Sequence, residues 1–287
     1  MRALSLLFIS FFTIQIHAKT VVISDIDDTL KVTHVLSKLG SGSSFFDQYS
    51  HFSGMNTLFN SIQQNDQNVN FYYVSLAPQA LMENVHLGFL RNLNFPLTKL
   101  YTNPGIKQDP NLKQIAIRQI LNSQRPDQVL FFGDNGQFDT EVYEQMKNEY
   151  PKIHFITYIR EAYSKKARFA RSTYPTKPGQ IGFVTSAEVA LDLKQRGFLN
   201  QEQFIEVVQQ TYFQMNQDDR QEHFGAMIFP WWMDCRDFSW QWQVPAQDSM
   251  ITRIYQKITQ RCSVNPIQRA SPTELELELG LEAEISH

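Results

Sequence analysis

The stretch Val21-Val-Ile-Ser-Asp25-Ile-Asp27-Asp28-Thr29 decides the fold of this chain. Residues 21–26 are mostly β-branched and apolar, which predicts a buried strand, and a run of aspartates follows at once. Continuous apolar strands are typical of parallel sheets that are covered on both faces. In such sheets ligands bind at the carboxyl ends of the strands, so the aspartates after this strand are candidates for chemistry.

Four more short apolar runs follow, separated by amphipathic segments. The further predicted strands are residues 71–74, 97–101, 129–132 and 153–159. The predicted helices between them are residues 55–64, 79–92, 111–122 and 139–149. Strands that alternate with helices predict a three-layer, Rossmann-like α/β fold with a central parallel sheet.

The composition is that of an ordinary globular protein. The chain has 287 residues, of which 42% are hydrophobic and 19% charged, with a formal net charge of −3. A chain of this length can bury a sizeable core and needs no disulfide or structural metal to fold. Because it carries no basic run, we expect neither nucleic acid nor an anionic membrane surface as its main electrostatic partner. A small phosphorylated substrate remains compatible with this charge, since a metal ion can attract it.

The first 18 residues are expected to be a secretory signal peptide. Arg2 precedes an apolar stretch at 3–16, and Ala18 supplies the small residue before a cleavage site. The stretch is too short for a comfortable transmembrane helix, and no second run of spanning length follows. We therefore expect an exported protein, periplasmic or secreted, with no transmembrane span in the mature chain. A buried first strand or an uncleaved anchor is the alternative.

The expected organisation is an α/β domain at 19–200, a helical and aromatic extension at 201–270 and a disordered acidic tail at 271–287. Helices are predicted at 186–196 and 201–214, with Gly197 as the stop between them. The segment between Asp27 and Ser75 holds a flexible loop at 40–44 and one helix, which predicts a small or absent cap. All four tryptophans lie within residues 229–242. This aromatic segment is expected to pack on the sheet domain, and a membrane-interface or substrate-gating surface is the alternative.

Two cysteines are present, Cys235 and Cys262. In an oxidising compartment they could pair and close a loop, and two unpaired buried thiols would be equally ordinary. Neither has the spacing of a metal site, so zinc is not expected.

Polar side chains follow three of the predicted strands. Asp25 and Asp27 follow the first, Ser75 the second, and Asp134 and Asp139 the fourth. Carboxylates that converge on one crevice repel each other unless a cation lies among them. Oxygen ligands without histidine or cysteine favour Mg²⁺.

These residues resemble the motifs of haloacid-dehalogenase (HAD) superfamily phosphatases. The stretch 25–29 resembles the first motif, Asp-x-Asp-x-Thr, and Ser75 resembles the second. Lys113 resembles the third motif, and Gly133-Asp134 with Asp139 resembles the fourth. Each motif alone is a weak signal, whereas four in order on the expected elements form a strong one.

Within that superfamily the chain most resembles the actin-patch-protein-type phosphatidate phosphatase catalytic domain family, over about residues 21–160. Residues 25–33 resemble its opening motif, and Gly133-Asp-Asn-Gly-Gln-Phe-Asp139-Thr-Glu-Val-Tyr143 resembles its Gly-Asp-Ser-Gly-x-x-Asp-x-Glu-x-Tyr signature. Two departures lie beside the predicted site. Asn135 replaces a serine, and Leu76-Ala-Pro-Gln79 replaces Ala-Ser-Pro-Trp.

The resemblance implies a phosphatase mechanism with named roles. Asp25 would be the nucleophile that forms an aspartyl-phosphate, and Asp27 the general acid and then the general base. Ser75 and Lys113 would bind the phosphoryl oxygens of the substrate, with Lys107 as the alternative lysine.

The resemblance also implies a Mg²⁺ site. Asp25, the backbone carbonyl of Asp27, and Asp134 would hold the ion. Asp139 would complete the metal site from outside or orient Lys113.

Other polar residues are expected to be structural. Thr29 is predicted to be a local cap and Glu141 to stabilise a helix start. The implied chemistry needs no histidine, so structural roles are expected for His34, His51, His86 and His154.

The expected function is Mg²⁺-dependent hydrolysis of phosphomonoesters, with phosphatidate as the substrate that the resemblance implies. A broad-specificity exported acid phosphatase for soluble phosphomonoesters is one alternative. A phosphate-binding module without turnover is the other, although a pure binder has no need of Asp27. The sequence is silent on the oligomeric state.

Overall fold

A computed structural model describes residues 18–36, 46–105, 109–167, 173–217, 224–244 and 249–264. Several predicted features lie outside these residues: the signal peptide up to residue 17, the loop at 40–44, Lys107 and the acidic tail.

A six-stranded parallel sheet forms the centre of the molecule, in the order β4-β3-β1-β5-β6-β7. Its strands are β1 Thr20–Ser24, β3 Asn70–Pro78, β4 Lys99–Asn103, β5 Gln128–Asp134, β6 His154–Arg160 and β7 Ile181–Phe183. A second, two-stranded parallel sheet pairs β2 His51–Phe52 with β8 Ala226–Met227. Since β1 lies between β3 and β5, the three strands with predicted site residues are neighbours.

Seven helices are seen in the described part of the chain. They are α1 Met55–Asn65, α2 Gln79–Asn92, α3 Pro110–Gln124, α4 Asp139–Glu149, α5 Ser186–Gln195, α6 Gln201–Gln217 and α7 Met250–Cys262. The predicted helices correspond to α1 to α6, with ends that differ by at most three residues.

Helices cover both faces of the sheet. Val22 of β1 belongs to one hydrophobic core, which includes side chains of α1, α2 and α5 to α7. Its neighbours Val21 and Ile23 belong to the other core, which includes side chains of α3 and α4. This alternation follows from the two-residue period of a strand and confirms the predicted three-layer α/β architecture.

The C-terminal extension packs on the α/β domain. The ring of Trp232 stacks on Tyr163, with centroids 5.2 Å apart, and Trp242 Nε1 donates to Asp192 at 3.4 Å. Cys235 and Cys262 form a disulfide, which decides between the two alternatives that the sequence left open.

The segment between β1 and β3 does not stand apart as a lid where it is described. The ring of Phe59 in α1 lies 5.7 Å from Phe71 and 4.8 Å from Phe132 between centroids, so α1 packs on the sheet itself. In the described ranges we also find no helix long and apolar enough to cross a membrane.

Four elements were not predicted: β2, β7, β8 and α7. The three strands have only two or three residues each, too few to show a period. The pairing of β2 with β8 joins His51 to Ala226, which no local pattern encodes. Ser249 caps the N-terminus of α7, and its side chain accepts from Thr252 N.

Candidate active site

The carboxyl ends of β1, β3 and β5 bring the predicted site residues together. Asp25 follows β1, and its backbone N–H donates to Phe132 O of β5 at 2.9 Å. Ser75 lies within β3, which continues beyond its predicted end to Pro78. Asp134 is the last residue of β5 and Asp139 the first of α4. The convergence expected from a parallel sheet is therefore present.

Lys113 of α3 reaches into this crevice. Its Nζ donates to Asp25 Oδ1 at 2.7 Å and also to Asp139 Oδ1. All three side chains are at most 1% exposed. Burial acts to lower the pKa of Lys113, but the two carboxylates outweigh it and the pKa is raised. Lys113 is thus a fixed positive charge beside the predicted nucleophile.

Three carboxylates form a buried group that fits a divalent cation. One oxygen from each of Asp25, Asp134 and Asp139 lies within 4.8 Å of the others. Burial raises the pKa of Asp25 well above its usual range, although Lys113 acts to lower it. Burial, followed by the charges of Asp139 and Asp25, also raises the pKa of Asp134 well above its usual range.

The donor set also agrees with Mg²⁺. Asp134 Oδ2 is buried without a hydrogen-bond partner in the described part of the chain. When ionised, the three carboxylates exceed the charge of Lys113 by two. A hard divalent cation would supply that charge and an interaction for the unpaired oxygen.

Asp27 lies in different surroundings. Its Oδ2 is 3.4 Å from His86 Nε2 and 3.5 Å from Ser75 Oγ. Its Oδ1 is buried and has no hydrogen-bond partner among the described residues. Burial acts to raise the pKa of Asp27, but the interactions with His86 and then with Lys31 and Lys113 together outweigh it, and the pKa is lowered. The two aspartates of the first motif therefore have opposite pKa shifts.

His86 was expected to be structural and was not predicted as a site residue, but it lies beside Asp27 and Ser75. It is fully buried in α2, and its Nε2 lies 3.3 Å from Ser75 Oγ as well as near Asp27. The other buried residues of α2 are Met82, Val85, Phe89 and Leu90. A polar residue in this apolar stripe was the signal that could have found it.

Thr29 also differs from its prediction. Residues 28–30 form a turn, and Thr29 Oγ1 donates to Asp25 Oδ2 at 3.4 Å rather than capping a helix. The adjacent Asp28 fixes the loop that follows. Its carboxylate accepts from the backbone N–H groups of residues 33–35 and from the hydroxyl of Tyr163.

The departure at Asn135 does not face the carboxylates. Its side chain donates to Tyr163 O at 2.7 Å and accepts from the backbone N–H groups of Ala162 and Tyr163. The neighbouring Gly133 is required by space, because a Cβ there would lie 2.6 Å from Asp139 Oδ2. The hydrogen bonds of Asn135 to Ala162 and Tyr163 therefore hold the loop after β6.

The remaining polar candidates have structural contacts. His34 stacks on Trp232 with centroids 4.5 Å apart, and His51 Nδ1 lies 2.7 Å from Tyr49 O. Glu141, in the first turn of α4, pairs with Lys177 at 2.7 Å.

The fold is that of the HAD class. It has a parallel sheet between two layers of helices, with an Asp-x-Asp-x-Thr turn after strand β1. A lysine and two further aspartates lie beside that turn. Residues 20–161, about half of the chain, match the family model described as phosphatidate phosphatase APP1, catalytic domain. The chain belongs to this family, which confirms the motif resemblance. Comparison with curated proteins gave no match.

Five chains of solved structures also match, two of which are described below. The first, titled "Structure of Pnkp1/Rnl/Hen1 complex", is 13% identical with a TM-score of 0.35, and the match covers 55% of this chain and 52% of that chain. The second, titled "Structure of the Pnkp1/Rnl/Hen1 RNA repair complex", is 12% identical with a TM-score of 0.34, and the match covers 50% of this chain and 43% of that chain. The chain thus spans about half of their length, and at these scores the likeness carries no functional argument.

Proposed function

We propose that this protein is a Mg²⁺-dependent phosphomonoester hydrolase that acts through an aspartyl-phosphate on Asp25, with phosphatidate as its substrate. One observation carries the proposal. Two buried aspartates, two residues apart, have separate surroundings: Asp25 lies with Lys113 among carboxylates, whereas Asp27 lies with His86. The aspartate beside Lys113 and the carboxylate group is assigned the attack on phosphorus, and the aspartate outside that group is assigned the proton transfer.

Asp25 is suited to be the nucleophile. Its Oδ1 is held by Lys113, while Oδ2 has the longer contact of 3.4 Å with Thr29. In the first step a carboxylate oxygen of Asp25 attacks phosphorus, and the bond from phosphorus to the leaving oxygen breaks. Lys113 stays beside the transferred group and offsets part of its negative charge.

Asp27 is suited to move the protons. In its protonated form it gives a proton to the leaving alcohol oxygen in the first step. As a carboxylate it then accepts a proton from water, whose oxygen attacks phosphorus and breaks the bond to Asp25. Inorganic phosphate leaves, and both aspartates return to their starting forms.

Asp25, Asp134 and Asp139, together with the backbone carbonyl of Asp27, would hold Mg²⁺. When bound, the ion supplies positive charge that offsets repulsion between these carboxylates and the substrate phosphate. Asp139 Oδ1 also accepts from Lys113 Nζ, which supports the second role expected for Asp139 beside that of a metal ligand.

Phosphate release from 4-nitrophenyl phosphate tests the chemistry. Wild type should require Mg²⁺, and Asp25→Asn should lose activity, whereas Asp66→Asn after the end of α1 is the matched aspartate control. Folding of each variant is checked by circular dichroism. A folded wild-type protein that binds Mg²⁺ but hydrolyses no phosphoester would favour a phosphate-binding module instead.

A substrate panel separates the two hydrolase alternatives. Micellar phosphatidate is compared with nucleotides and sugar phosphates. A higher kcat/KM for phosphatidate supports the lipid substrate that the family name indicates. A preference for the soluble esters would assign a broad-specificity exported acid phosphatase.

We also propose that the protein is exported after cleavage behind Ala18. The Cys235–Cys262 disulfide supports this proposal, because disulfides persist in oxidising compartments. A mature chain that begins at Lys19 and is found outside the cytoplasm is the expected result. An uncleaved cytoplasmic chain would contradict the proposal.

A further inference from the structure

The two oxygens of the Asp27 carboxylate have different environments. Oδ2 lies 3.4 Å from His86 Nε2 and 3.5 Å from Ser75 Oγ. Oδ1 has no hydrogen-bond partner in the described ranges, although it is buried. One oxygen is thus anchored, and the other is available to a group that enters the site.

We propose that His86 is a positioning residue for Asp27: its Nε2–H holds Oδ2 and thereby turns Oδ1 towards the leaving oxygen of the substrate. The inference rests on the proposed function and adds a residue to it. His86 does not touch the reacting atoms in this proposal. It acts by limiting the rotation of the carboxylate that transfers the proton.

The surroundings of His86 favour this role over simple packing. The ring is fully buried among apolar residues of α2, including Met82, Val85 and Phe89. Its Nδ1 has no hydrogen-bond partner in the described part of the chain. An unpaired buried nitrogen is costly, so a position that served packing alone would favour an apolar residue. The polar ring is explained by its contacts through Nε2.

Ser75 offers a competing explanation. Its Oγ lies 3.3 Å from His86 Nε2 and accepts from Ala77 N at 3.0 Å. If His86 served only to place Ser75, its loss would weaken phosphate binding for every substrate alike. If His86 positions Asp27, its loss lowers the rate mainly for substrates whose leaving oxygen must be protonated. The dependence on leaving group separates the two roles.

The experiment measures kcat/KM with Mg²⁺ for two substrates, 4-nitrophenyl phosphate and a simple alkyl phosphate. The first has a leaving group that needs little protonation, and the second has one that needs it fully. His86→Leu removes the donor, and His86→Gln keeps a donor near the position of Nε2. Phe89→Leu, also buried in α2, is the packing control.

General acid catalysis contributes about 10²- to 10⁴-fold, and mispositioning should forfeit part of it. For His86→Leu we expect kcat/KM to fall about 10- to 100-fold with the alkyl phosphate but under about 3-fold with the aryl phosphate. His86→Gln should recover much of the loss. Phe89→Leu should change both substrates by the same factor.

The positioning role would be overturned if His86→Leu lowered kcat/KM by the same factor with both substrates. It would also be overturned if His86→Gln recovered none of the kcat/KM lost with the alkyl phosphate. Trapping the acyl-phosphate distinguishes this failure from failure of the proposed function. If wild type forms an aspartyl-phosphate and His86→Leu shows no leaving-group dependence, the inference alone is wrong. If wild type forms no aspartyl-phosphate, both are wrong.

Discussion

Replacing Lys113 with methionine removes the ammonium group that lies between Asp25 and Asp139. The side chain is 1% exposed, and so water cannot solvate the two carboxylates that remain. We expect Lys113→Met to lower the free energy of unfolding of the metal-free protein at neutral pH. The volume of the side chain is nearly kept, so the loss reports charge rather than packing.

The expected loss is about 3–5 kcal/mol, the range for removing one partner of a buried ion pair. Lys113→Met combined with Asp139→Asn removes both the positive and the negative partner of one ion pair. The double variant should therefore lose less than the sum of the single variants, by about 1–3 kcal/mol. Mg²⁺ should restore part of the stability of Lys113→Met, since it offsets the same negative charges.

Urea unfolding in the presence of a chelator, and then of excess Mg²⁺, measures these values. The matched control is the pair Arg118–Glu149, which has the same 2.7 Å separation but side chains that are 32% and 33% exposed. Its cycle, from Arg118→Met and Glu149→Gln, should give about 0–1 kcal/mol. A loss for Lys113→Met as small as that of the surface pair would refute the argument from buried charge.

Two further predictions concern stability. Burial, followed by Asp237, raises the pKa of Glu161 to about 7 from 4.5. The contribution of Glu161 to the free energy of unfolding is therefore fully present below pH 4.5 and is lost as the pH rises through about 7. The loss is at most about 3 kcal/mol. Urea unfolding should show that the free energy of unfolding falls less between pH 5 and pH 8 for Glu161→Gln than for wild type. An equal fall in both proteins would contradict this prediction. Separately, replacing Cys235 and Cys262 by alanine opens a loop of 27 residues and should cost about 3.5 kcal/mol, visible as a lower urea midpoint that reductant no longer changes. An unchanged midpoint for that variant would oppose the prediction.

Much of the candidate site could be predicted because most of its signals are local. An apolar run followed by Asp25-Ile-Asp27 marks a strand end without any knowledge of the partners of that strand. A parallel sheet then brings neighbouring strand ends together, so Ser75 and Asp134 could be expected beside Asp25. Lys113 could be expected only from the order of the motifs, since a helical lysine has no local signal of burial.

His86 could not be assigned in the same way. Its role depends on α2 packing against the end of β3 and on the direction in which the ring points. The turn at Thr29 differs from its prediction for a similar reason, because a threonine after a strand can cap a helix or donate to a carboxylate. The three short strands depend on partners that are distant in sequence, so no period marks them.

The sequence by itself indicated the fold class through strand period, and it indicated the family and the four motifs through their resemblance to known motifs, because both can be read along the chain. Only the tertiary structure decided that Cys235 pairs with Cys262, that Lys113 lies between two carboxylates and that His86 lies beside Asp27. Each of these joins residues at least 26 apart in the chain. Such contacts depend on how layers pack, and packing is a property of the whole fold rather than of any one segment.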